Sequence, residues 1–382
     1  MGSTSTTERL DTSWPEVLTT LLAGQDLGAA RAEWAMGEIM AGEASPAQVA
    51  GFLVALRAKG ETVEEMRGLA DQMLRHATRF EVPGPSLDIV GTGGDRAHTV
   101  NISTMAAMVC AGAGTTIVKH GNRAASSSSG SADVLEALGI DLALPAAAVA
   151  GLAHEVGITF CFAQVFHPSF RHAGVTRRDL GIPTAFNFLG PVTNPAQPTY
   201  AAVGVADARM APLVAGVFAS RGKDAAVFRG DDGLDELTLS TTSTLWWVRD
   251  GQVAERRLDP DRLGLTRQPV EALRGGDARH NAQVVRDVFG GAPGPVRDAV
   301  VLNAGLALAV TGADRGSSDD DLHADVRAGM DRAEASIDSG AASALIDRWV
   351  AAAHAAATAG TAGTAGTAGT AGTAGTVGPT PA

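Results

Sequence analysis

The sequence has few cysteines and no long apolar run. Only two of its 382 residues are cysteine, and Cys110 and Cys161 both lie in apolar surroundings, which predicts two reduced core residues. No uncharged apolar stretch of about twenty residues occurs, so no membrane-spanning helix is expected. The polar N-terminus lacks the basic start and apolar run of a secretory signal. These absences favour a cytoplasmic protein without a membrane partner.

An excess of basic residues is absent too. The chain carries 30 Lys and Arg residues against 42 Asp and Glu residues, a formal net charge of −12. A nucleic-acid-binding protein usually presents a broad basic surface to the phosphate backbone. Local basic patches remain compatible with this composition, but the overall balance argues against a nucleic-acid partner. A hydrophobic content of 45% with 19% charged residues is typical of a soluble globular protein.

The N-terminal part of the chain, residues 14–82, reads as a succession of helices. Ser45 to Gln48 and Thr62 to Glu65 both have the spacing of a capping box, and apolar residues follow each box at helical intervals. Pro83-Gly84-Pro85 then interrupts the pattern. We therefore expect a small N-terminal all-helical domain.

From residue 85 to residue 356 the pattern alternates between strands and helices, which predicts an α/β domain. Its central sheet is expected to be mixed, mainly parallel and flanked by helices. The strands are expected at Leu87–Val90, Thr115–Lys119, Ile158–Phe166, Tyr200–Val205, Ala225–Phe228 and a hairpin over Leu245–Arg257. The helices are expected at 101–113, 131–138, 145–156, 277–289, 295–311 and 320–354. Residues 358–382, mostly a Thr-Ala-Gly repeat, should form a disordered tail because they carry no large apolar side chain.

A glycine-rich segment directly follows the first expected strand. We call residues 91–101 the glycine loop; it begins Gly91-Thr92-Gly93-Gly94-Asp95. Glycines at these positions bring backbone N–H groups close to a phosphate or diphosphate. The polar side chains of Thr99, Asn101, Ser103 and Thr104 follow at the start of a helix, where they can bind an anion or a phosphate-bound Mg²⁺. A tight turn with ordinary helix capping is the alternative.

A second polar segment follows the next strand. Lys119 and Arg123 supply positive charge, and the run from Ser126 to Ser129 precedes another helix start. We call residues 122–131 the serine loop. The carboxyl ends of strands are where open α/β sheets bind ligands, so this segment is a second candidate for binding phosphate. A flexible Ser/Gly linker is the alternative.

Two further segments carry groups suited to ligand binding. Asp235 and Glu236, the carboxylate pair, follow a strand and could bind Mg²⁺, although a solvated acidic turn is the better explanation of the pair taken alone. His167 lies beside an Arg-bearing helix and could hold an acceptor carboxylate, with Arg177 as the charge partner. Taken alone, these basic residues could simply lie on the surface.

Assembled, the segments resemble the anthranilate phosphoribosyltransferase family of tryptophan biosynthesis. The resemblance rests on GTGGD, the pattern T-x-N-x-S-T, KHGNRAASSSSGSADVLEALG, HPSFRHAGVTRRDLGIPTAFNFLGPVTNPA and DE, in the family order. It spans roughly residues 20–350. It implies a homodimer built on the helical domain, to which a middle segment at about 175–200 returns, and an α/β domain that binds phosphoribosyl diphosphate (PRPP).

The resemblance also implies three sets of site residues. Those expected to bind PRPP are Gly91, Thr92, Gly94, Asp95, Thr99, Asn101, Ser103, Thr104, Lys119, Arg123, Ser126, Ser127 and Ser128. Those expected to bind anthranilate are Gly91, Asn122, His167, Phe170, Arg177, Gly190 and Pro191. Those expected to hold two Mg²⁺ ions per monomer are Ser103, Asp235 and Glu236.

The implied reaction moves the phosphoribosyl group of PRPP to the amine of anthranilate and releases diphosphate. Charge develops mainly on the leaving group, and the aryl amine is already a neutral nucleophile, so no residue is expected to act as a general base. Two alternatives remain. A pyrimidine nucleoside phosphorylase would share the architecture, but its loops characteristically carry Lys-His-Ser-Thr-Gly-Gly. A non-catalytic, nucleic-acid-binding relative would need a basic groove.

Overall fold

The computed structural model describes residues 12–124, 128–312 and 318–367. Four helices come first: α1 (Trp14–Leu22), α2 (Gly28–Ala41), α3 (Pro46–Lys59) and α4 (Val63–Arg75). Both expected capping boxes are present, with Ser45 bonded to the N–H of Gln48 and Thr62 bonded to the N–H of Glu65. The all-helical N-terminal unit predicted from the sequence is therefore confirmed.

The second unit is built on one seven-stranded sheet. Its strands are β1 (Leu87–Gly91), β2 (Ile117–Gly121), β3 (Ile158–Phe162), β4 (Tyr200–Gly204), β5 (Asp224–Gly230), β6 (Ser243–Arg249) and β7 (Gln252–Leu258). Their order across the sheet is β3-β2-β1-β4-β5-β6-β7. The first five are parallel, and β6 and β7 are antiparallel. The expected mixed, mainly parallel sheet is confirmed.

Helices cover both faces of this sheet. In chain order the helices that follow α4 are α5 (Ile102–Gly112), α6 (Ser131–Ala137), α7 (Ala146–Glu155), α8 (Ala163–Phe166), α9 (Arg171–Leu180), α10 (Phe186–Leu189), α11 (Ala211–Ser220), α12 (Ala278–Phe289), α13 (Pro295–Thr311), α14 (Asp319–Asp338) and α15 (Ala341–Thr367). None of the helices in the described part of the chain is long and apolar enough to cross a membrane.

Buried side chains form two clusters, one on each face of the sheet. Alternation along the strands explains the division, since Ile89 and Ala202 face one cluster while Val90 and Val203 face the other. The second cluster also contains the core of α1–α4, so the helical unit packs directly on the sheet.

The segment containing α9 and α10 joins the helical unit. Ala173, Phe186 and Leu189 are buried in the same cluster as α1–α4, and α9 packs on α2 and α3. This segment begins at Arg171, ahead of the expected position 175. Residues that follow β3 thus lie against the helical unit before the chain re-enters the sheet at Tyr200.

Three further differences from the expectations exceed two residues. The expected strand to Phe166 ends at Phe162 because residues 163–166 turn into α8. The expected helix over 320–354 is two helices, since Gly340 adopts a left-handed φ of 77° between α14 and α15. α15 also continues past Thr358 to Thr367, and the disorder expected of residues 358–382 stays a prediction. Alanine favours helix, and the repeat has no proline before Pro379. Residues 368–382 lie outside the described residues.

Candidate active site

The carboxylate pair lies against the ends of β1 and β4. A Cβ added to Gly204 would lie 1.7 Å from the carbonyl oxygen of Asp235, and one added to Gly91 would lie 2.3 Å from its Oδ2. The N–H of Gly93 donates a hydrogen bond to the same Oδ2 at 2.6 Å. The loop between β5 and β6 can reach the glycine loop only because β1 and β4 end in glycine, at Gly91 and Gly204. The structure therefore brings Asp235 to the expected phosphate-binding segment.

Glu236 meets the N-terminus of α5. The N–H of Ser103 donates to Glu236 Oε1 at 3.1 Å. Lys119, only 1% exposed, donates from Nζ to the carbonyl of Ile89 and, at 3.4 Å, to Ser103 Oγ. Ser103, Lys119 and Glu236 thus converge at the carboxyl edge of β1 and β2.

Burial shifts the pKa values of this group of acids and of Lys119 towards the neutral forms. Burial, followed by the charge of Asp95, raises the pKa of Asp235 to about 7. The pKa of Glu236 lies well above its usual value because of burial and, next, the charge of Asp235, which Lys119 only partly offsets. The pKa of Lys119 is lowered by burial despite the three acids around it. A bound cation would reduce the repulsion between these carboxylates, which one lysine does not compensate.

The donor set fits a hard divalent cation. Oxygen ligands from one or two carboxylates suit Mg²⁺, which keeps several waters or takes substrate phosphate oxygens for the rest. Within the described ranges no group of three or more His, Cys, Asp or Glu side chains forms a ready-made metal cage.

The glycine loop has the backbone geometry of an anion nest. Gly93 and Gly94 have φ values of 69° and 90°, and Arg96 and His98 also lie in the left-handed region, at 61° and 54°. Non-glycine residues there carry strain that is common at ligand sites. Thr92 Oγ1 accepts a hydrogen bond from the N–H of Ala206, which ties the loop to the end of β4.

The other polar residues of this region make hydrogen bonds within the protein. Asp95 Oδ1 accepts from the N–H of Ala97 at 3.1 Å. Thr99 pairs through its backbone with Arg274. Thr104 Oγ1 donates to Ser131 Oγ at 3.1 Å. These contacts connect the start of α5 to the start of α6, so the two phosphate-binding candidates are structurally linked.

Arg123 turns towards α6. Its guanidinium bonds Glu136 at 2.5 and 2.8 Å and Asp133 at 3.1 Å, and it stacks 5.3 Å from the Phe162 ring centroid. Its expected contact with PRPP stays a prediction. Asn122 and Ser128 are exposed at the same edge. Ser126 and Ser127 lie outside the described residues.

Two buried histidines lie beside Gly190. The rings of His120 and His167 are 5.1 Å apart, and His120 Nδ1 donates to the carbonyl of Gly190 at 2.9 Å. Burial lowers the pKa of His120 to about 4 and that of His167 to about 3. Both rings are therefore neutral near pH 7. Pro191, also expected at the anthranilate site, is buried next to Gly190.

Arg177 is held on an aromatic platform. Its guanidinium carbon lies 4.6 Å from the ring centroid of Phe170 and 5.1 Å from that of Phe186, and the two rings meet edge to face. Burial lowers its pKa from the usual arginine value, but the group stays charged at neutral pH. No carboxylate of the described residues pairs with it, so its charge is available to a ligand.

Sequence reasoning missed several residues that shape the site. Asn194 donates from Nδ2 to Asp88 Oδ2 at 2.9 Å, and Asp88 Oδ1 accepts from the N–H of His120 at 3.0 Å. Beside the carboxylate pair, Asn303 Oδ1 accepts a hydrogen bond from the N–H of Leu237 at 2.9 Å, and its Nδ2 donates to the carbonyl of Leu237 at 3.1 Å. A buried asparagine in an otherwise apolar helix such as α13 is the one signal that could have indicated this role.

Comparison with known proteins shows the family of this chain. The model of the glycosyl transferase family α/β domain matches residues 84–343, and that of the family's helical bundle domain matches residues 15–77. An anthranilate phosphoribosyltransferase of Nocardioides sp. is 64% identical over 340 residues, which cover 89% of this chain and 98% of the relative. The chain belongs to the anthranilate phosphoribosyltransferase family.

Solved structures of the family share the fold. That of the Thermus thermophilus anthranilate phosphoribosyltransferase superposes with a TM-score of 0.82 at 39% identity, covering 88% of this chain and 99% of that one. A Saccharomyces cerevisiae anthranilate phosphoribosyltransferase in complex with PRPP and Mg gives a TM-score of 0.80 at 27% identity, covering 90% and 98%.

Proposed function

We propose that the protein transfers the phosphoribosyl group of PRPP to the amine of anthranilate, giving N-(5-phosphoribosyl)anthranilate and diphosphate, the second step of tryptophan biosynthesis from chorismate. The observation that carries the proposal is the convergence of the glycine loop, Lys119 and the carboxylate pair at one sheet edge. Family membership supports the same reaction.

The glycine loop and the N-terminus of α5 are suited to the leaving diphosphate. The left-handed backbone at Gly93 and Gly94 and the positive end of the α5 helix dipole present partial positive charge to an anion. Stabilising charge that develops on the leaving group is the largest catalytic effect available here. We assign the PRPP contacts to Gly91, Thr92, Gly94, Asp95, Ser103 and Lys119, with Asn101, Thr104, Arg123 and Ser128 around them.

The carboxylate pair and Ser103 would hold Mg²⁺, two ions per monomer. Bound to diphosphate oxygens, Mg²⁺ would neutralise charge as the bond to C1 of the ribose breaks. Asp235 and Glu236 fit the role because burial and mutual repulsion disfavour two uncompensated carboxylates. Lys119, fixed between Ile89 and Ser103, places a further cation at the same edge.

Anthranilate would approach from the side of the helical unit. Arg177, on α9, would bind its carboxylate, and the Phe170 and Phe186 rings hold the guanidinium in place. His167, Gly190 and Pro191 would bound the ring, with Asn122 and Gly91 nearer the donor. The amine needs no strong base, and the neutral histidines, with pKa values of about 3 and 4, are too weakly basic to serve as one near pH 7.

We further propose a homodimer formed through the helical unit. Apolar side chains stand exposed on neighbouring helices of that unit: Leu22 of α1 (80%), Val54 of α3 (42%) and Val175 of α9 (60%). α1 and α9 both pack on α3, so the three residues belong to adjoining surfaces. Apolar surface of this kind commonly marks a protein interface.

The two buried free cysteines suit a location in the cytoplasm.

The test is the loss of anthranilate fluorescence when the purified protein is mixed with PRPP and Mg²⁺. The proposal expects a loss that requires all three components and that stops on chelation of the metal. If fluorescence stays constant under these conditions, the proposal is wrong. Phosphorolysis of a pyrimidine nucleoside, measured in parallel, would instead support the phosphorylase alternative.

A further inference from the structure

Asn281, at the start of α12, is bonded to Asn101, the residue that joins the two loops flanking the PRPP site. It is 2% exposed. Its Nδ2 donates to Asn101 Oδ1 at 2.8 Å, and its Oδ1 accepts from the N–H of Gly276 at 2.8 Å. Both ends of the carboxamide are therefore bonded within the protein, so Asn281 is placed to support its neighbours and not to touch a substrate.

Asn101 is in turn oriented by two partners. It precedes α5, yet its side chain does not cap that helix. Its Oδ1 is taken by Asn281, and its Nδ2 donates to the carbonyl of Ser129 in the serine loop at 3.1 Å. Asn101 thus joins the glycine loop to the serine loop. Its orientation depends on the hydrogen bond donated by Asn281 of α12.

The backbone around Asn281 reinforces the arrangement. The N–H of Val100 donates to the carbonyl of Leu273 at 2.9 Å, and the N–H of Gly275 donates to the carbonyl of His98 at 2.8 Å. A Cβ on Gly275 would lie 2.9 Å from Asn281 Oδ1 and from the backbone of residues 99 and 100. Residues 273–281 therefore form a close-packed support behind the glycine loop.

We propose that Asn281 is a positioning residue for the phosphoribosyl donor: by fixing the Asn101 carboxamide, it holds the glycine loop and the serine loop at one spacing. The inference rests on the proposed function of this site. α12 packs on α6, α14 and α15, whereas Arg177 belongs to α9, which packs on α2 and α3. Loss of Asn281 should consequently affect binding of PRPP much more than binding of anthranilate.

Two variants and one control test the proposal. Asn281→Ala removes the donor to Asn101, while Asn281→Asp keeps the size but sets an acceptor against Asn101 Oδ1. Gln283→Ala changes an exposed amide on the same helix and should behave like the parent protein. Each protein is assayed for the KM of both substrates and, by calorimetry with Mg²⁺, for the Kd of PRPP.

Both Asn281 variants should raise the KM and Kd for PRPP by about ten-fold or more, the usual effect of removing a residue that orients a ligand-binding group. The KM for anthranilate should stay within about two-fold, as expected when only one substrate's site is disturbed.

An unchanged Kd for PRPP in Asn281→Asp would overturn the proposal, as would equal changes in both KM values. If the parent protein itself neither binds PRPP nor turns over, the proposed function fails; if it does both and the variants match it, only this inference fails.

Discussion

Gly204, at the end of β4, leaves space for the carboxylate pair, and replacing it with alanine should slow the enzyme strongly. The new Cβ would lie 1.7 Å from the carbonyl oxygen and 2.5 Å from the carbonyl carbon of Asp235. Ordinary carbon–oxygen contacts are about 3.3 Å or longer. To restore such a contact, the backbone of Asp235 must move by about 1.6 Å, which would disturb the hydrogen bond that its Oδ2 accepts from the N–H of Gly93.

A misplacement of about 1 Å can cost about 100-fold in rate. We therefore expect Gly204→Ala to lower kcat/KM by about that factor and to raise the Mg²⁺ concentration needed for half-maximal activity. Overpacking of this kind typically costs about 1–3 kcal/mol of stability, so the protein should still fold.

Gly151→Ala is a matched control. Gly151 lies in α7, and a Cβ there would meet nothing within 4 Å. Alanine favours helix over glycine by about 1 kcal/mol, so this variant should be as active as the parent and at least as stable. The assays are anthranilate fluorescence across a Mg²⁺ series and thermal denaturation. Near-parental kcat/KM and Mg²⁺ dependence in a folded Gly204→Ala protein would refute the reasoning.

Three other predictions concern pH, the acceptor and assembly. Because burial raises the pKa of Asp235 to about 7, Mg²⁺ must displace a proton below that pH. Its apparent affinity, measured by calorimetry with PRPP present, should weaken by up to about ten-fold per pH unit below 7 and level off above it; a flat profile from pH 6 to 8 would contradict this. Arg177→Ala should raise the KM for anthranilate by about 10- to 100-fold, the loss expected for a charged hydrogen bond, and leave the KM for PRPP nearly unchanged; an unaltered anthranilate KM would remove Arg177 from the acceptor site. Val54→Glu should yield a monomer by light scattering, whereas Val253→Glu, at an exposed valine of β7, should not; a dimeric Val54→Glu protein would place the interface elsewhere.

Much of the fold could be predicted because its signals are local. Capping boxes before α3 and α4 and apolar alternation in the strands depend on residues close together in the chain. The break between α14 and α15 was missed because a lone Gly340 without a neighbouring proline interrupts helical periodicity only weakly.

The candidate site could be predicted only in part. Lys119 and the carboxylate pair attract attention because charged residues follow buried strands. Gly204 and Asn281 could not be recognised, because their roles depend on contacts with Asp235 and Asn101, far away in the sequence. Such pairings are set by the crossing of loops over the sheet edge, which no local pattern encodes.

The most direct test of the central claim is the release of diphosphate from PRPP, measured with and without anthranilate in the presence of Mg²⁺. Transfer to the amine predicts release only when anthranilate is present, with one diphosphate formed for each anthranilate consumed. Release at the same rate without anthranilate, or none in its presence, would contradict the account.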